Sequence, residues 1–400
     1  MSPPVGLMRG VRWLGERATN GGISHAYWAT VALLGAVITG STVGGAIVLR
    51  TSGPFAADSA ESKLEAQATT PPAVTPTGEH DAVVTTLDRA TYAGGFNPGA
   101  VAVDATGVLY ITDFDARKVY RLLPTGPLEV FAGSGKEGVS DGQAATAEFA
   151  GPGGIAIDKA GNVFVADSLA HRIRRIDPSG NVSTFAGGGD AGLCCGQFRD
   201  GQGADARFHL PAGLAFDRDG NLIVADKGND RIRSIAPNGV VSTMAGNGTA
   251  GSVALQVPLK GPVGVAIDRD GTIYFTEHRG NSIRRITPTG KIETILSSVP
   301  AVVTGDSGSL SRGEGLAFPS GLAILADGSL LVADTQANRI LQVVVGGAST
   351  MIAGNGSPGL ANGKGQSAQF SSPVSFAILS SGEVVVADQG NRRLASLALK

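Results

Sequence analysis

From about residue 97 onward, short apolar runs rich in β-branched residues alternate with tight polar turns. The pattern is sharpest over 151–189, GPGGIAIDKAGNVFVADSLAHRIRRIDPSGNVSTFAGGG. Residues 154–158, 162–167, 172–177 and 182–187 read as four short strands, each ended by turn chemistry, so the unit is a four-stranded antiparallel meander. Asp158 and Gly161 bracket the first turn, where the carboxylate bonds turn amides and the glycine takes a positive φ. Asp217 to Gly220 and Asp268 to Gly271 repeat it. The acidic residue that would close a calcium loop is missing there, so turn chemistry accounts for these aspartates. Pro178 and Gly180 mark the third-to-fourth turn. The second strand, Val163 to Ala166, is apolar on both faces, as a sheet sandwiched between two others requires.

Degraded copies of this unit recur, and the end of the second strand shows them best. It reads Ile-Thr-Asp113, Val-Ala-Asp167, Val-Ala-Asp226, Phe-Thr-Glu277, Val-Ala-Asp334 and Val-Ala-Asp388. A repeat of about 55 residues outweighs the two or three domains that length alone suggests. The sixth copy supplies a third strand, 393–398, and no fourth, whereas ATYAGG at 90–95 matches the fourth-strand ending STFAGG at 183–188 with no unit of its own. The segment of about 83–94 is therefore expected to complete the last unit and close a ring without exposed edges. The fold class is all-β: a six-bladed β-propeller of four-stranded antiparallel blades over 82–400, closed by an N-terminal strand.

The best-preserved fragments group Asp167, His171, Arg172 and Ile173; Asp226, Asn229, Arg231 and Ile232; Asp334, Asn338, Arg339 and Ile340; and Asp388, Asn391, Arg393 and Leu394. In these the chain resembles the NHL-repeat family over roughly 82–400. The resemblance implies a propeller that serves as a platform for proteins, RNA or glycans. It also borders on enzymes, the peptidyl-hydroxyglycine lyases and gluconolactonase-type hydrolases.

The N-terminal part has another character. Residues 1–26 form a basic tail with Arg9, Arg12 and Arg17 against Glu16. Residues 27–49 carry no charge and open with Tyr27 and Trp28, and as a helix they would exceed the ~30 Å hydrocarbon core. A single transmembrane helix is expected, with the N-terminus cytoplasmic by the positive-inside rule and the rest of the chain outside. A cleaved signal peptide ending near Phe55, Ala56 and Ala57, which would release a secreted protein, is the competing reading. Residues 50–81, rich in Ala, Thr, Pro and Ser, read as a disordered stalk.

Composition changes the picture little. Fifty-nine glycines and 5% aromatic residues suit many tight turns. A net charge of -2 points to no nucleic acid, although Arg174, Arg175, Arg233, Arg284 and Arg285 recur on third strands, where a solvated outer strand is the plain reading. Cys194 and Cys195 are adjacent, so they form a vicinal disulfide or stay reduced.

Features common to every copy read as scaffold. Asp113, Asp167, Asp226, Asp334 and Asp388 are expected to accept backbone amides or to pair with an arginine five residues on, as Asp167 with Arg172 or Asp226 with Arg231. The fourth copy departs most, with Glu277, then His278 and Arg279, and Ser282 in place of the paired arginine. Glu277, His278 and Arg279 are candidate ligand-binding residues, and Glu277 and His278 are the pair to test for catalysis. The long loops of 189–210 and 300–318 add Asp200 and His209 as candidates, while Phe149, Phe208 and Phe370, three residues before a proline, are expected to pin loops to blades. His171, His209 and His278 occupy non-equivalent repeat positions, so no metal or cofactor is expected. The expected function is a membrane-anchored platform that binds a protein, peptide or glycan through its inter-blade loop face, with no particular ligand or oligomeric state specified. The alternative is an extracytoplasmic lyase or hydrolase working in the central channel.

Overall fold

The computed structural model of the protein describes residues 74–75, 82–87, 96–188, 197–246, 256–298 and 315–399. The stretches 1–26, 27–49 and most of 50–81 lie outside these residues. Among the described residues no helix is long and apolar enough to cross a membrane.

Apolar alternation and turn residues produce the meander where the sequence places it. In the second blade the strands are Pro152–Ile157, Val163–Asp167, Arg172–Ile176 and Asn181–Ala186. Asp158 accepts the backbone N–H groups of Ala160 and Asn162, and Gly161 takes φ 81°. Asp217 and Asp268 make the same turn bonds.

Among the described residues the strands form six antiparallel blades. Their first strands are Pro98–Val103, Pro152–Ile157, Pro211–Phe216, Pro262–Ile267, Pro319–Ile324 and Pro373–Ile378. Each packs against the next, and the sixth against the first, so the six encircle one axis. Every residue of the second strands Val163–Asp167, Leu222–Asp226, Ile273–Glu277, Leu330–Asp334 and Val384–Asp388 is buried. The core is accordingly six apolar layers, each between two blades. Phe164 and Phe208 pack with Val224 between the second and third blades, and Phe96 and Tyr120 with Val385 and Leu394 between the sixth and first.

The blades approach one another more closely than side chains would permit. A Cβ at Gly154, Gly213, Gly264 or Gly321 would run into the backbone carbonyl of Ala212, Val263, Ser320 or Val374 on the following blade. Glycine at this one position of the first strand lets the ring draw tight.

The outer edges are covered differently from blade to blade. Gly142–Gln143, Gly201–Gln202 and Gly363–Lys364, all from inter-blade loops, add a fifth strand outside the second, third and sixth blades. Such edge strands saturate amides that would otherwise invite pairing with another chain. Within the segment of about 83–94, Val83–Thr86 lies antiparallel to Arg393–Ala398 in the sixth blade, while 88–95 lies outside the described residues. The stretch 50–81, expected to be without structure, contributes Val74–Thr75 as a strand parallel to Ser349 and Thr350 of the fifth blade. Composition missed this because a short strand needs only a waiting edge, not an apolar run.

Candidate functional site

Each second strand ends in a carboxylate at the ring's face where first strands begin. Asp113, Asp167, Asp226, Glu277, Asp334 and Asp388 are all buried. Each accepts one or more backbone amides from the segment leading into the first strand of its own blade: Asn97, Ala150 and Gly151, His209, Lys260, Ala317 and Ser371 respectively. Burial pushes the pKa of Asp113, Asp167, Asp226, Asp334 and Asp388 upward, against the pull of these amides and, in the last four, of an arginine.

That arginine takes two places. Arg339 and Arg393 reach Asp334 and Asp388 at 2.7 and 2.8 Å from five residues on. Asp167 and Asp226, for which Arg172 and Arg231 were expected, form their salt bridges with Arg174 and Arg233 at 3.2 and 2.8 Å, seven residues on. The strand-three alternation explains the shift, since residues two apart share a face. Arg174 and Arg233 are fully buried, which corrects the view of them as part of a solvated outer strand.

Burial of these guanidinium groups serves the loops. Arg174 donates to the carbonyls of Glu148 and Ser140 and to Asp141, with Phe149 against its plane. Arg233 does the same with the carbonyls of Arg207 and Arg199 and with Asp200, beside Phe208. Arg393 bonds the carbonyls of Leu360 and Gln369 and the side chain of Asn362. Each arginine clamps a long loop onto the buried carboxylate of its blade. Phe149, Phe208 and Phe370 are buried beneath these loops, as expected of residues that pin them.

A second recurrent bond crosses from blade to blade. The last residue of the second-to-third turn adopts a left-handed backbone, as at His171, Asp230, Asn281 and Asn338 with φ of 56°, 55°, 44° and 50°. Its side chain accepts the N–H of the residue before the next blade's first proline. The pairs are His171 Nδ1 with Leu210, Asp230 Oδ1 with Gly261, Asn281 Oδ1 with Phe318 and Asn338 Oδ1 with Ser372, at 2.6–3.1 Å. Asn and Asp tolerate this backbone and carry an acceptor, which accounts for their recurrence here.

In the fourth blade, Glu277, His278 and Arg279 turn three ways. The Glu277 carboxylate accepts Lys260 N, Ser282 Oγ at 2.7 Å and Arg284 at 3.3 Å. Its extra methylene is matched by the smaller Ser282, which stands where Arg339 and Arg393 stand in the fifth and sixth blades. His278 Nε2 lies 2.8 Å from Ser320 Oγ on the fifth blade, and its ring meets Phe318 edge to face. Arg279 pairs with Asp230 on the third blade. Burial, followed by the charges of Lys227 and Arg279, lowers the His278 pKa to about 3. Lys227, at the matching turn position of the third blade, is lowered to about 8 by burial and by Arg279.

Lys227 was not singled out from the sequence. A signal was present: the residue after each strand-ending carboxylate is Phe114, Ser168, Lys227, His278, Thr335 or Gln389, a non-uniform set at an otherwise uniform place. Ser168, His278 and Thr335 each reach the first strand of the next blade.

Of the remaining candidates, His209 lies against the Lys227 turn, its carbonyl accepting the Gly228 N–H at 2.7 Å. Asp200 is held by Arg233 and by the N–H and hydroxyl of Thr243. The His209 ring stands edge to face against His171, 5.4 Å away, between the second and third blades. Cys194 and Cys195 lie outside the described residues. Among the described residues no three His, Cys, Asp or Glu side chains cluster as a metal site.

A six-bladed propeller with an invariant buried carboxylate and a variable mouth is the class that fold and site define. The repeat itself is matched by a family model: the NHL repeat model matches residues 149–176 and 208–233, so the six-bladed β-propeller carries NHL repeats. Among curated proteins it is 29% identical to Teneurin-3 of Danio rerio over 280 residues, 59% of this chain and 10% of that protein. It is 27% identical to Protein SUPPRESSOR OF QUENCHING 1, chloroplastic, of Arabidopsis thaliana over 313 residues, 74% of this chain and 29% of that protein. The chain thus spans less than a third of either relative's length. Among solved structures it resembles a streptogramin B lyase (TM-score 0.53, 16% identity, covering 80% of this chain and 98% of the other). It also resembles a gluconolactonase of Xanthomonas campestris (0.54, 16%, 83% and 96%) and an auxiliary nutrient binding protein of Bacteroides ovatus (0.56, 14%, 80% and 77%). At these identities the likeness establishes the fold alone.

Proposed function

We propose that the protein is a membrane-anchored, extracytoplasmic NHL-repeat propeller that binds a protein, peptide or glycan on the face formed by its second-to-third turns and inter-blade loops. The observation that carries this reading is the set of arginine clamps. Arg174, Arg233 and Arg393 fix three long loops to buried carboxylates, so those loops are held in place before any ligand arrives. Preorganisation of this kind lowers the ordering cost of binding. Two of the clamped loops carry exposed apolar side chains, Phe198 at 43% and Leu360 at 60%. Anchoring rests on the uncharged stretch 27–49 and the arginines before it. Val83–Thr86 is proposed as the strand that closes the ring.

The lyase or hydrolase reading is weaker because Glu277, its acid, is already engaged by an amide, a hydroxyl and a guanidinium. Glu277 is assigned the same scaffold role as the five aspartates. The test is binding of the full chain, in detergent, to glycan and peptide arrays, with a Phe198→Ser/Leu360→Ser variant alongside. Selective binding that this variant loses, at an unchanged unfolding midpoint, is expected. A measured turnover abolished by both Glu277→Gln and His278→Asn would overturn the reading in favour of the enzyme.

A further inference from the structure

Four joints between blades are closed by the same kind of bond, and one of them depends on a lone pair that a proton can take. His171, Asp230, Asn281 and Asn338 accept the N–H groups of Leu210, Gly261, Phe318 and Ser372. Each bond holds a left-handed backbone in front of the next blade's first proline, where φ is 51°, 64°, 52° and 51°. That conformation is uncommon for Leu, Phe or Ser, the more so before proline, so the acceptor bears on whether it persists. The amide oxygens of Asn281 and Asn338 do not titrate, whereas an imidazole nitrogen loses its lone pair on taking up a proton near neutral pH.

The Leu210 amide can only donate, so His171 Nδ1, 3.1 Å away, carries the lone pair. The proton of the neutral ring then sits on Nε2, which is buried and without a hydrogen-bond partner among the described residues. A second proton has one place to go, Nδ1, where it would point at the Leu210 N–H. The closed joint therefore excludes the imidazolium by geometry. The titratable group that faces His171 from the third blade's entry segment is His209, its ring 5.4 Å away. Burial, followed by the charge of His209, lowers the His171 pKa, in line with this exclusion. Around them, Asp226 takes the His209 N–H and pairs with Arg233, and Arg207 is turned to the carbonyls of Ala204 and Ala206. On His171's own turn, Ser168 carries no charge and Arg172 follows in the chain.

We propose that the bond of His171 to Leu210 is an acid-released latch between the second and third blades, in which the ring takes up a proton only by letting go of the amide. The release is local, because Ser168 Oγ donates to the Pro211 carbonyl at 2.6 Å and Asp226 keeps the His209 N–H. The latch lies on the face read above as the binding surface, but it does not rest on that reading.

The test is hydrogen exchange of the full chain in detergent, without ligand, read at single amides by mass spectrometry and corrected for the intrinsic effect of pH. A released ring protonates with the ordinary pKa of about 6.5 and the latched one does not, so protection of the Leu210 amide should fall severalfold, by up to about 25-fold, from pH 7 to pH 5. Protection of Phe318 and Ser372, whose acceptors are Asn281 and Asn338, should stay constant over that range. In His171→Asn, which places at 171 the side chain found at 281 and 338, the pH dependence at Leu210 should vanish. Constant protection of Leu210 in the wild type would overturn the proposal. So would an equal fall at Phe318 and Ser372, the sign of general loosening, or a fall that persists in His171→Asn and so belongs to His209 or another group. The comparison of the three amides within the wild type decides the matter even if the variant folds poorly.

Discussion

His278 shows how a single residue carries both packing and a pH response. Its folded pKa of about 3 lies well below the ordinary 6.5, so the folded protein keeps the ring neutral while an unfolded chain takes up a proton. Stability from this group is present above pH 6.5 and is lost as the pH falls from 6.5 toward 3. By pH 5 the loss reaches at most about 2 kcal/mol, from 1.36 kcal/mol per unit. His171, lowered by burial and by His209, acts in the same direction. The strand-ending aspartates, raised by burial, act in the opposite one. The His278 contribution is therefore read as a difference: unfolding midpoints of wild type and His278→Asn should converge as the pH falls from 7 to 5. Midpoints that kept a constant separation would contradict the neutral, buried ring. At this scale the sequence had named His278 and missed Lys227, because a lysine one residue past a scaffold aspartate looks like any turn lysine. Only the curvature of the ring brings the two blades' turns together.

At the scale of the element, the second strand and its carboxylate organise everything around them. One buried group ties the segment entering the blade, and in five blades an arginine or a serine on the third strand adds to it. Where that arginine is Arg174, Arg233 or Arg393, the tie extends to the preceding loop. Arg233→Met keeps the apolar stem but removes the guanidinium that is salt-bridged to Asp226 and strips four bonds from the loop of 199–207. A loss of about 3–5 kcal/mol is expected, the usual cost of breaking a buried ion pair on one side. Urea denaturation measures it, and a loss under about 1 kcal/mol, typical of a surface pair, would contradict the clamp. The sequence showed these arginines but not which of two alternate positions faces the carboxylate. That choice is made where the third strand packs, between a loop aromatic and the buried acid.

For the whole molecule the decisive question is how a linear repeat becomes a ring. The core layer between the sixth and first blades, with Val385 and Leu394 against Phe96 and Tyr120, closes it through apolar packing. Val83–Thr86 adds the outer strand of the sixth blade, where Val84 is fully buried opposite Leu397. Val84→Asp would bury a charge without a partner and should cost several kcal/mol, lowering the unfolding midpoint of the full chain. A midpoint equal to wild type would show that this strand contributes nothing to the propeller. The sequence by itself determined the repeat, the strand boundaries to within a residue or two, the turns and the number of blades. Those follow from local rules: period-two burial, Asp and Gly in tight turns, and apolar residues on both faces of a covered strand. What only the tertiary structure decided is which side chains meet: Arg174 with Asp167 within the second blade and, across blades, the turn acceptors on pre-proline amides and His278 with Ser320. The contacts across blades join residues 31 to 42 positions apart, and their geometry depends on how closely neighbouring sheets approach, which glycines at the first strand set and which no single repeat encodes.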